Sequence, residues 1–329
     1  MTLILRDRDA LFALGRALEA AHYRFTTITP ASHERINARP GNDLASDLRG
    51  VFGWSRPFDE HAANPAIAPE IVALMRRAGV LDESGPLPRS AVRASTLGER
   101  CYFHSAFPTT NEDSVFFGPD TYRFVAAIER ALRKLAAPPT RVVDIGCGAG
   151  PGAVQIARRF PEAEVFAADI NPASLALTAI NAGLAGARNV VPVASNLLDG
   201  VDGEFDLIVS NPPFMRDPAS RTYRHGGDDD STAPGAALSL EIVKAAMARL
   251  RPGGSLLLYT GVAIQGENDA FLASIAPLLD TACQAWTYEE LDPDVFGEEL
   301  ATPEYDGIDR IAAVWLHAVK RTRMRKSDH

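Results

Sequence analysis

A polar amide, a rigid turn and an aromatic ring follow one another in the stretch DLIVSNPPF, residues 206–214. Prolines cannot donate the hydrogen bonds of a β-ladder, and the residue before a proline favours extended or turn geometry. Asn211 is therefore expected where the apolar run leaves its sheet. In an open parallel sheet that position borders the ligand crevice, so the stretch predicts a ligand site.

A glycine-rich turn supplies a second set of candidate ligand contacts. In RVVDIGCGAGPGA, residues 141–153, an apolar run carries Asp144 and is followed by Gly146, Gly148 and Gly150. Glycines at a turn between a strand and a helix let the backbone approach a ligand closely. Because nicotinamide and flavin proteins use such a turn too, the glycines alone do not identify the ligand.

Two further apolar runs end in polar side chains. Asp169 ends EVFAAD, where a carboxylate can accept both hydrogen bonds from a ribose diol. Asn196 and Leu197 follow NVVPVAS, where the amide can meet the exocyclic amine of adenine and the leucine can pack on the ring. The alternative role of Asn196 is to cap a turn. These positions predict a cofactor that contains adenosine.

The elements that must position these residues alternate between strands and helices from about residue 140. Strands are predicted at 141–145, 164–169, 189–195, 205–211 and 255–260, and helices at 236–250 and 266–279. Residues 283–291 and 310–319 read as two strands whose connection is too short for a helical crossover, so they are expected to be antiparallel. The predicted fold is α/β: a Rossmann-like, seven-stranded, doubly wound sheet with an antiparallel last strand.

The first hundred residues differ in pattern, with apolar residues at three- and four-residue spacing in 7–22 and 68–81. Two short extended runs then flank Leu97–Glu99. This order predicts a helical, winged-helix-like substrate-recognition domain, and a plain helical domain is the alternative. The predicted domains are therefore 1–104, a catalytic domain at 105–320 and a basic tail at 321–329.

Charge and cysteine content narrow the classes of partner. The net charge is −9, with 13 basic and 12 acidic residues in 1–104 but 15 basic and 29 acidic residues in 105–319. The acidic half argues mildly against indiscriminate binding to nucleic-acid phosphates. The three cysteines lack C-x-x-C spacing, so neither a metal site nor a disulfide is predicted. A cytoplasmic protein that does not enter the membrane is expected.

Taken in order, the motifs resemble one family. Asp144-x-Gly146-x-Gly148-x-Gly150, Asp169, Ser195-Asn196 and Asn211-Pro212-Pro213-Phe214 resemble the class I S-adenosylmethionine-dependent methyltransferases of the methyltransferase small domain superfamily. The resemblance covers about 105–320 and implies S-adenosylmethionine as cofactor. The implied cofactor-binding residues are Asp144, Gly146, Cys147, Gly148, Gly150, Asp169, Ile170, Asn196, Leu197 and Asn211.

The Asn-Pro-Pro-Phe box suits methylation of a planar nitrogen. The lone pair of such a nitrogen is delocalised, so its hydrogens must be held and its geometry pushed toward tetrahedral. The Asn211 side-chain oxygen and the Pro212 carbonyl can accept its two N–H bonds, while Phe214 stacks on the flat group. These three residues are the predicted catalytic set. Pro213 and two arginines of the long loop 216–235, Arg216 and Arg224, are the predicted substrate contacts.

The motifs leave the identity of the methyl acceptor open. The segments IGCGAG, ASN and NPPF are similar to ribosomal RNA guanine N-methyltransferases, whereas GGDDD at 226–230 is similar to release-factor glutamine methyltransferases. The sequence favours an exocyclic amine of an RNA base, with a protein glutamine as the alternative. A Rossmann oxidoreductase or cofactor sensor is an outside alternative, which has no evident use for the Asn-Pro-Pro-Phe box.

Overall fold

The computed structural model describes residues 5–63, 65–227 and 234–322. The aspartate triplet 228–230 and most of the predicted basic tail, 323–329, lie outside the described residues. Across the described ranges, no helix is long and apolar enough to cross a membrane.

The N-terminal part begins with helices and ends with a hairpin. Its elements are α1 (Arg8–Ala20), α2 (Pro30–Asn37), α3 (Leu48–Phe52), α4 (Pro69–Ala78), β1 (Leu81–Asp82), β2 (Arg89–Ser90), β3 (Val92–Leu97) and β4 (Arg100–Ser105). The β3–β4 hairpin turns at Gly98, whose φ of +60° suits a glycine. The predicted order of helices followed by extended runs is present, while the boundary at residue 104 stays a prediction.

The central sheet confirms the predicted fold class. Its strands are β5 (Arg141–Ile145), β6 (Glu164–Asp169), β7 (Val190–Ala194), β8 (Phe205–Ser210), β9 (Leu250–Gln265), the short β10 (Asn268–Asp269), β11 (Cys283–Asp292) and β12 (Arg310–Lys320). The order across the sheet is β7-β6-β5-β8-β9-β12-β11, with β10 paired to β9. The strands from β7 to β9 run parallel, and β12 is antiparallel to both of its neighbours.

Helices cover both faces of this sheet. They are α5 (Pro119–Leu132), α6 (Pro151–Arg159), α7 (Pro172–Ala185), α8 (Ala237–Arg249) and α9 (Ala270–Ala282). Alternate strand residues face opposite layers. Val142 and Leu207 pack in the core that contains α5, α6 and α7, whereas Val143 and Ile208 pack in the core that contains α8 and α9.

Two boundaries differ from the sequence prediction for identifiable reasons. Strand β9 is longer than 255–260 because its second half continues as the antiparallel partner of β12, up to the pair Ile264–Arg310. Helix α9 begins four residues later than predicted because β10 first turns back onto β9. Asp269 then caps the helix by accepting a hydrogen bond from the Leu272 backbone N–H at 2.8 Å.

The N-terminal part shares one hydrophobic core with the catalytic part. Leu11 and Leu14 of α1 belong to the same buried cluster as Leu177 and Leu184 of α7. Asn181 of α7 is fully buried and joins the two parts through its side chain. It accepts from the Phe103 N–H at 2.8 Å and donates to the carbonyls of Phe103 at 3.0 Å and Ala149 at 2.8 Å.

Candidate active site

One pocket opens at the carboxyl ends of the parallel strands β5, β6, β7 and β8. It gathers most of the residues that the sequence analysis selected: Asp144, Gly146, Cys147, Gly148, Asp169, Ile170, Asn196, Leu197, Asn211, Pro212, Pro213, Phe214 and Arg224. Gly150 and Arg216 are not among the lining residues. Strands far apart in sequence therefore bring the four motifs to one crevice, as expected for an open parallel sheet.

The glycines of the first turn have two different roles. Gly146 and Gly148 have φ values of +68° and +55°, and a Cβ atom on Gly146 would meet no other atom within 4 Å. The backbone there consequently borders open space in the pocket. Gly150, with φ +83°, instead packs against Thr178 of α7, where a Cβ atom would lie 2.8 Å from the threonine side chain. The absence of a side chain at Gly150 thus allows the start of α6 to pack closely against α7.

Asp169 holds the glycine turn as well as facing the pocket. One carboxylate oxygen accepts from the Gly148 N–H at 2.9 Å and the other accepts from the Asn171 N–H at 2.9 Å. Burial raises the pKa of this carboxyl, and these backbone hydrogen bonds act in the opposite direction. Asp169 also lines the pocket, so its carboxylate faces the side on which a ribose diol would bind.

Asp144 lies deeper in the same crevice and is 1% exposed. Its carboxylate accepts from the Ala153 N–H at 2.8 Å, and Gly152 passes so close that a Cβ atom there would lie 2.7 Å from the carboxylate. Burial raises the pKa of Asp144 to about 7, and the nearby charge of Asp169 adds to the effect. This side chain therefore changes its ionisation near neutral pH.

An apolar slot fits the adenine end of the cofactor. Ile170 lines the pocket and is 59% exposed, the most exposed of the large apolar side chains named among the described residues. Leu197 also lines the pocket from a left-handed backbone conformation, with φ +50°. The Ser195 hydroxyl fixes that turn by donating to the Leu197 carbonyl at 2.9 Å and accepting from the Gly200 N–H at 2.9 Å. A flat ring can be covered between these two apolar side chains.

The Asn-Pro-Pro-Phe box follows β8 directly. The Ser210 hydroxyl donates to the Ile145 carbonyl at 2.7 Å, which ties the end of β8 to the end of β5. Phe214 is 7% exposed, and a Cβ atom on Gly261 would lie 2.2 Å from its Cδ2 atom. The Phe214 ring therefore packs directly against the backbone of β9.

The loop after the box is fastened to neighbouring segments. Tyr223 donates its hydroxyl hydrogen to the Thr109 carbonyl at 2.6 Å, and Arg224 lines the pocket while forming an ion pair with Glu299 at 2.5 Å. A further arginine, Arg221, pairs with Asp217 at 2.5 Å. The hydrogen bond from Arg221 and the nearby arginine charges lower the pKa of Asp217 to about 2.

Several lining residues were missed by the sequence analysis, among them one acidic and two aromatic side chains. Asp120, at the start of α5, accepts from the Tyr259 hydroxyl at 2.6 Å and from Arg123 at 3.2 Å, and burial raises its pKa. Phe116 and Phe296 also line the pocket. The run Gly118-Pro119-Asp120 could have been read as a helix start that faces the crevice, but no motif signals the two phenylalanines.

Phe296 belongs to an acidic insert, defined here as residues 292–309, which connects β11 and β12. The insert carries seven acidic residues and no lysine or arginine. It contacts the loop after the box at two points besides Glu299. The Tyr305 hydroxyl accepts from the Arg216 N–H at 2.9 Å and donates to the Met215 sulfur at 3.7 Å. The insert thus borders the acceptor side of the pocket.

The residues present fit S-adenosylmethionine. Open space at Gly146, the Asp169 carboxylate in the pocket lining and the apolar side chains of Ile170 and Leu197 match a methionine tail, a ribose and an adenine in that order. Within the described ranges, no cluster of three or more His, Cys, Asp or Glu side chains is arranged to hold a metal ion.

The sheet order with its antiparallel strand β12, the glycine turn after β5, the acidic residue ending β6 and the Asn-Pro-Pro-Phe box after β8 together define a class I methyltransferase. A family model described as "Methyltransferase small domain" matches residues 127–269.

Several relatives and solved structures match this chain over more residues than the family model does. The chain is 36% identical over 187 residues to the release factor glutamine methyltransferase of Deinococcus radiodurans, covering 55% of this chain and 63% of that protein. It spans less than two thirds of that relative. It is 30% identical over 310 residues to the release factor glutamine methyltransferase of Cereibacter sphaeroides, covering 88% of this chain and 97% of that protein. A 16S rRNA N2 G1207 methyltransferase structure from T. thermophilus, in complex with AdoMet and guanosine, aligns with a TM-score of 0.44 at 24% identity over 73% of this chain and 53% of that chain.

The chain belongs to the methyltransferase small domain family and is an S-adenosylmethionine-dependent methyltransferase.

Proposed function

We propose that this enzyme methylates the side-chain amide nitrogen of a glutamine residue in a protein. The sequence alone favoured an RNA base amine, and that preference stays a hypothesis. The relatives reported above from Deinococcus and Cereibacter are both named release factor glutamine methyltransferases. The Cereibacter match extends over 88% of this chain, so it reaches into the first 104 residues as well as the catalytic part.

The charge at the mouth of the pocket is the observation that favours a polypeptide over RNA as the acceptor. The acidic insert has seven acidic residues and no basic one. Arg224 and Arg221 lie beside it, but Glu299 and Asp217 pair with them. Phosphate recognition relies on basic groups that displace counterions, and the acidic insert with its paired arginines favours an acceptor that carries no phosphate. A neutral amide on a polypeptide, flanked by neutral or basic residues, is the acceptor that such a mouth admits.

The chemistry follows from the Asn-Pro-Pro-Phe box. An amide nitrogen is a weak nucleophile because its lone pair is delocalised into the carbonyl group. The Asn211 side-chain oxygen and the Pro212 carbonyl are each hydrogen-bond acceptors, so together they can hold both N–H groups of a primary amide. Holding these hydrogens fixes the direction of the nitrogen lone pair and polarises the N–H bond that must release its proton. When bound, S-adenosylmethionine supplies an electrophilic methyl group on a sulfonium sulfur.

The test uses the full chain and a tritiated methyl donor. Two acceptor pools are offered separately: glutamine-containing peptides flanked by lysine or by glutamate, and total bacterial RNA. We expect label in the lysine-flanked peptides, recovered as N-methylglutamine after digestion, and weaker label in the glutamate-flanked set. Asn211→Ala is the matched inactive control. Label confined to RNA and released by RNase would overturn the glutamine proposal and restore the RNA base as acceptor.

A further inference from the structure

The backbone of the acidic insert holds one aromatic residue in an unusual conformation. Phe296 has φ +55° and ψ +38°, the left-handed region that bulky side chains rarely adopt. Such a conformation is strained for a bulky residue and persists only where the surroundings enforce it. The adjacent residue is Gly297, which would take this conformation freely, yet the ring stands at 296. A bulky residue held in this conformation beside a pocket is a candidate for a functional role.

The insert is anchored on both sides of Phe296. On the N-terminal side, Val295 is buried and donates its N–H to the Ile311 carbonyl of β12 at 2.8 Å. On the C-terminal side, Glu299 donates its N–H to the Phe296 carbonyl at 2.9 Å and pairs with Arg224. These contacts hold the Phe296 ring at the pocket, which it lines while remaining only partly buried.

Phe296 meets the aromatic ring of the Asn-Pro-Pro-Phe box. The Phe296 and Phe214 ring centroids are 5.9 Å apart with an interplanar angle of 60°. Phe214 is 7% exposed because Gly261 of β9 lies against its ring, whereas Phe296 is less buried. Of the two rings, Phe296 therefore presents more surface to a group that enters the pocket.

We propose that Phe296 is a specificity-determining residue, forming an aromatic wall that selects flat acceptor groups and orients them toward Asn211 and Pro212. Phe214 then acts mainly as the support against which Phe296 packs. This inference rests on the proposed function only in taking the acceptor to be planar, and an amide and a nucleobase amine both meet that condition. A flat π-bonded group gains from contact with an aromatic face, and a tetrahedral group of equal size gains less.

The test does not require the natural acceptor. Two probes are made from S-adenosylhomocysteine by replacing its sulfur with a nitrogen that carries a side arm. One arm is propanamide, which ends in a planar amide, and the other is isopentyl, which has the same number of heavy atoms but a tetrahedral end. Calorimetry measures the affinity of each probe and of S-adenosylhomocysteine itself for the full-length protein.

We expect Phe296→Ala and Phe296→Leu to weaken the propanamide probe relative to the isopentyl probe by about three- to tenfold, the range for one aromatic contact. Phe296→Tyr should retain the wild-type ratio, and S-adenosylhomocysteine should bind all variants within about twofold, since the ring acts on the acceptor side alone. Phe12→Ala, which removes a 37% exposed ring on α1, is the control for loss of an aromatic residue elsewhere.

An unchanged ratio of probe affinities in both Phe296→Ala and Phe296→Leu would overturn the proposal. So would an equal loss of affinity for all three ligands, because that pattern indicates general damage to the pocket. Failure of the glutamine proposal gives a different result: label in RNA with the probe ratios as expected here.

Discussion

At the scale of single residues, Asn211 separates chemistry from cofactor binding. Because its amide oxygen is assigned to the acceptor nitrogen, Asn211→Ala should lower turnover by a factor on the order of 100, comparable to losing a preorganised polar contact elsewhere. The dissociation constant of S-adenosylhomocysteine should change little. Single-turnover kinetics with a saturating acceptor peptide, combined with calorimetry, measure both quantities. Near-normal turnover of the variant would refute the assigned role.

Asp144 predicts a pH dependence of cofactor affinity. Its pKa of about 7 means that the buried carboxyl becomes ionised as the pH rises from 6 to 8. S-adenosylmethionine carries a sulfonium charge that S-adenosylhomocysteine lacks, so ionised Asp144 should favour the methyl donor. We expect affinity for the donor to increase several-fold over this range, roughly the effect of a favourable charge contact, with a weaker trend for the product. Asp144→Asn should remove the difference.

The same carboxyl affects folding with a definite sign. Its pKa in the folded protein lies above the value of 3.8 for a free carboxyl, so the folded state holds the proton between these two pH values. The contribution of Asp144 to the free energy of unfolding should therefore fall as the pH rises from about 4 to about 7. Urea titrations of the ligand-free protein and of Asp144→Asn at several pH values test this, and a rising contribution would contradict it.

Residue types and spacing indicated the side of the pocket formed by the strand ends, but not the side formed by the acidic insert. Asp144, the glycines, Asp169 and Asn211 each follow an apolar run at a strand end, so topology alone brings them together. Phe296 lies 82 positions after Phe214 in an insert with no recognisable pattern. Its place depends on tertiary contacts such as the Arg224–Glu299 ion pair, which a single sequence does not reveal.

At the scale of elements, the close approach of β9 to Phe214 is directly testable. In Gly261→Ala the new methyl group would lie 2.2 Å from Phe214 Cδ2, so the ring or the strand must move. We expect a loss of about 1–3 kcal/mol in the free energy of unfolding, as in other overpacked cores, and slower turnover. Combining Gly261→Ala with Phe214→Leu makes room and should recover much of the stability lost. Thermal denaturation of the three variants provides the comparison, and additive losses would count against this packing.

The parallel strands were easier to predict than the segments that extend β9 at one end. Parallel strands buried on both faces are short apolar runs, so 141–145 and 164–169 were placed correctly to the residue. The second half of β9 and the short β10 depend on pairing with β12 and with each other, and local sequence carries little information about such long-range pairing. The sequence therefore indicates the strands of the sheet but not how far β9 extends or that β10 pairs with it.

At the scale of the whole molecule, Asn181 links the N-terminal hairpin to the cofactor turn. It bonds to both backbone groups of Phe103 and to the carbonyl of Ala149, next to Gly148. Asn181→Ala leaves these buried groups without partners, so we expect a loss of about 2–4 kcal/mol in stability and weaker cofactor binding. Asn189→Ala, which removes a partly buried asparagine elsewhere, is the matched control. Equal effects of the two substitutions on cofactor affinity would argue against a specific link.

The shared core also constrains how this protein can be taken apart and recombined. Gly15 of α1 lies so close to α7 that a Cβ atom there would be 2.5 Å from Leu184 Cδ1. A chimera that joins residues 105–320 to a foreign N-terminal segment would leave Leu184 and Asn181 facing a surface that does not match them. Any exchange of the first 104 residues would therefore have to include the outer face of α7, because the two surfaces are packed against each other.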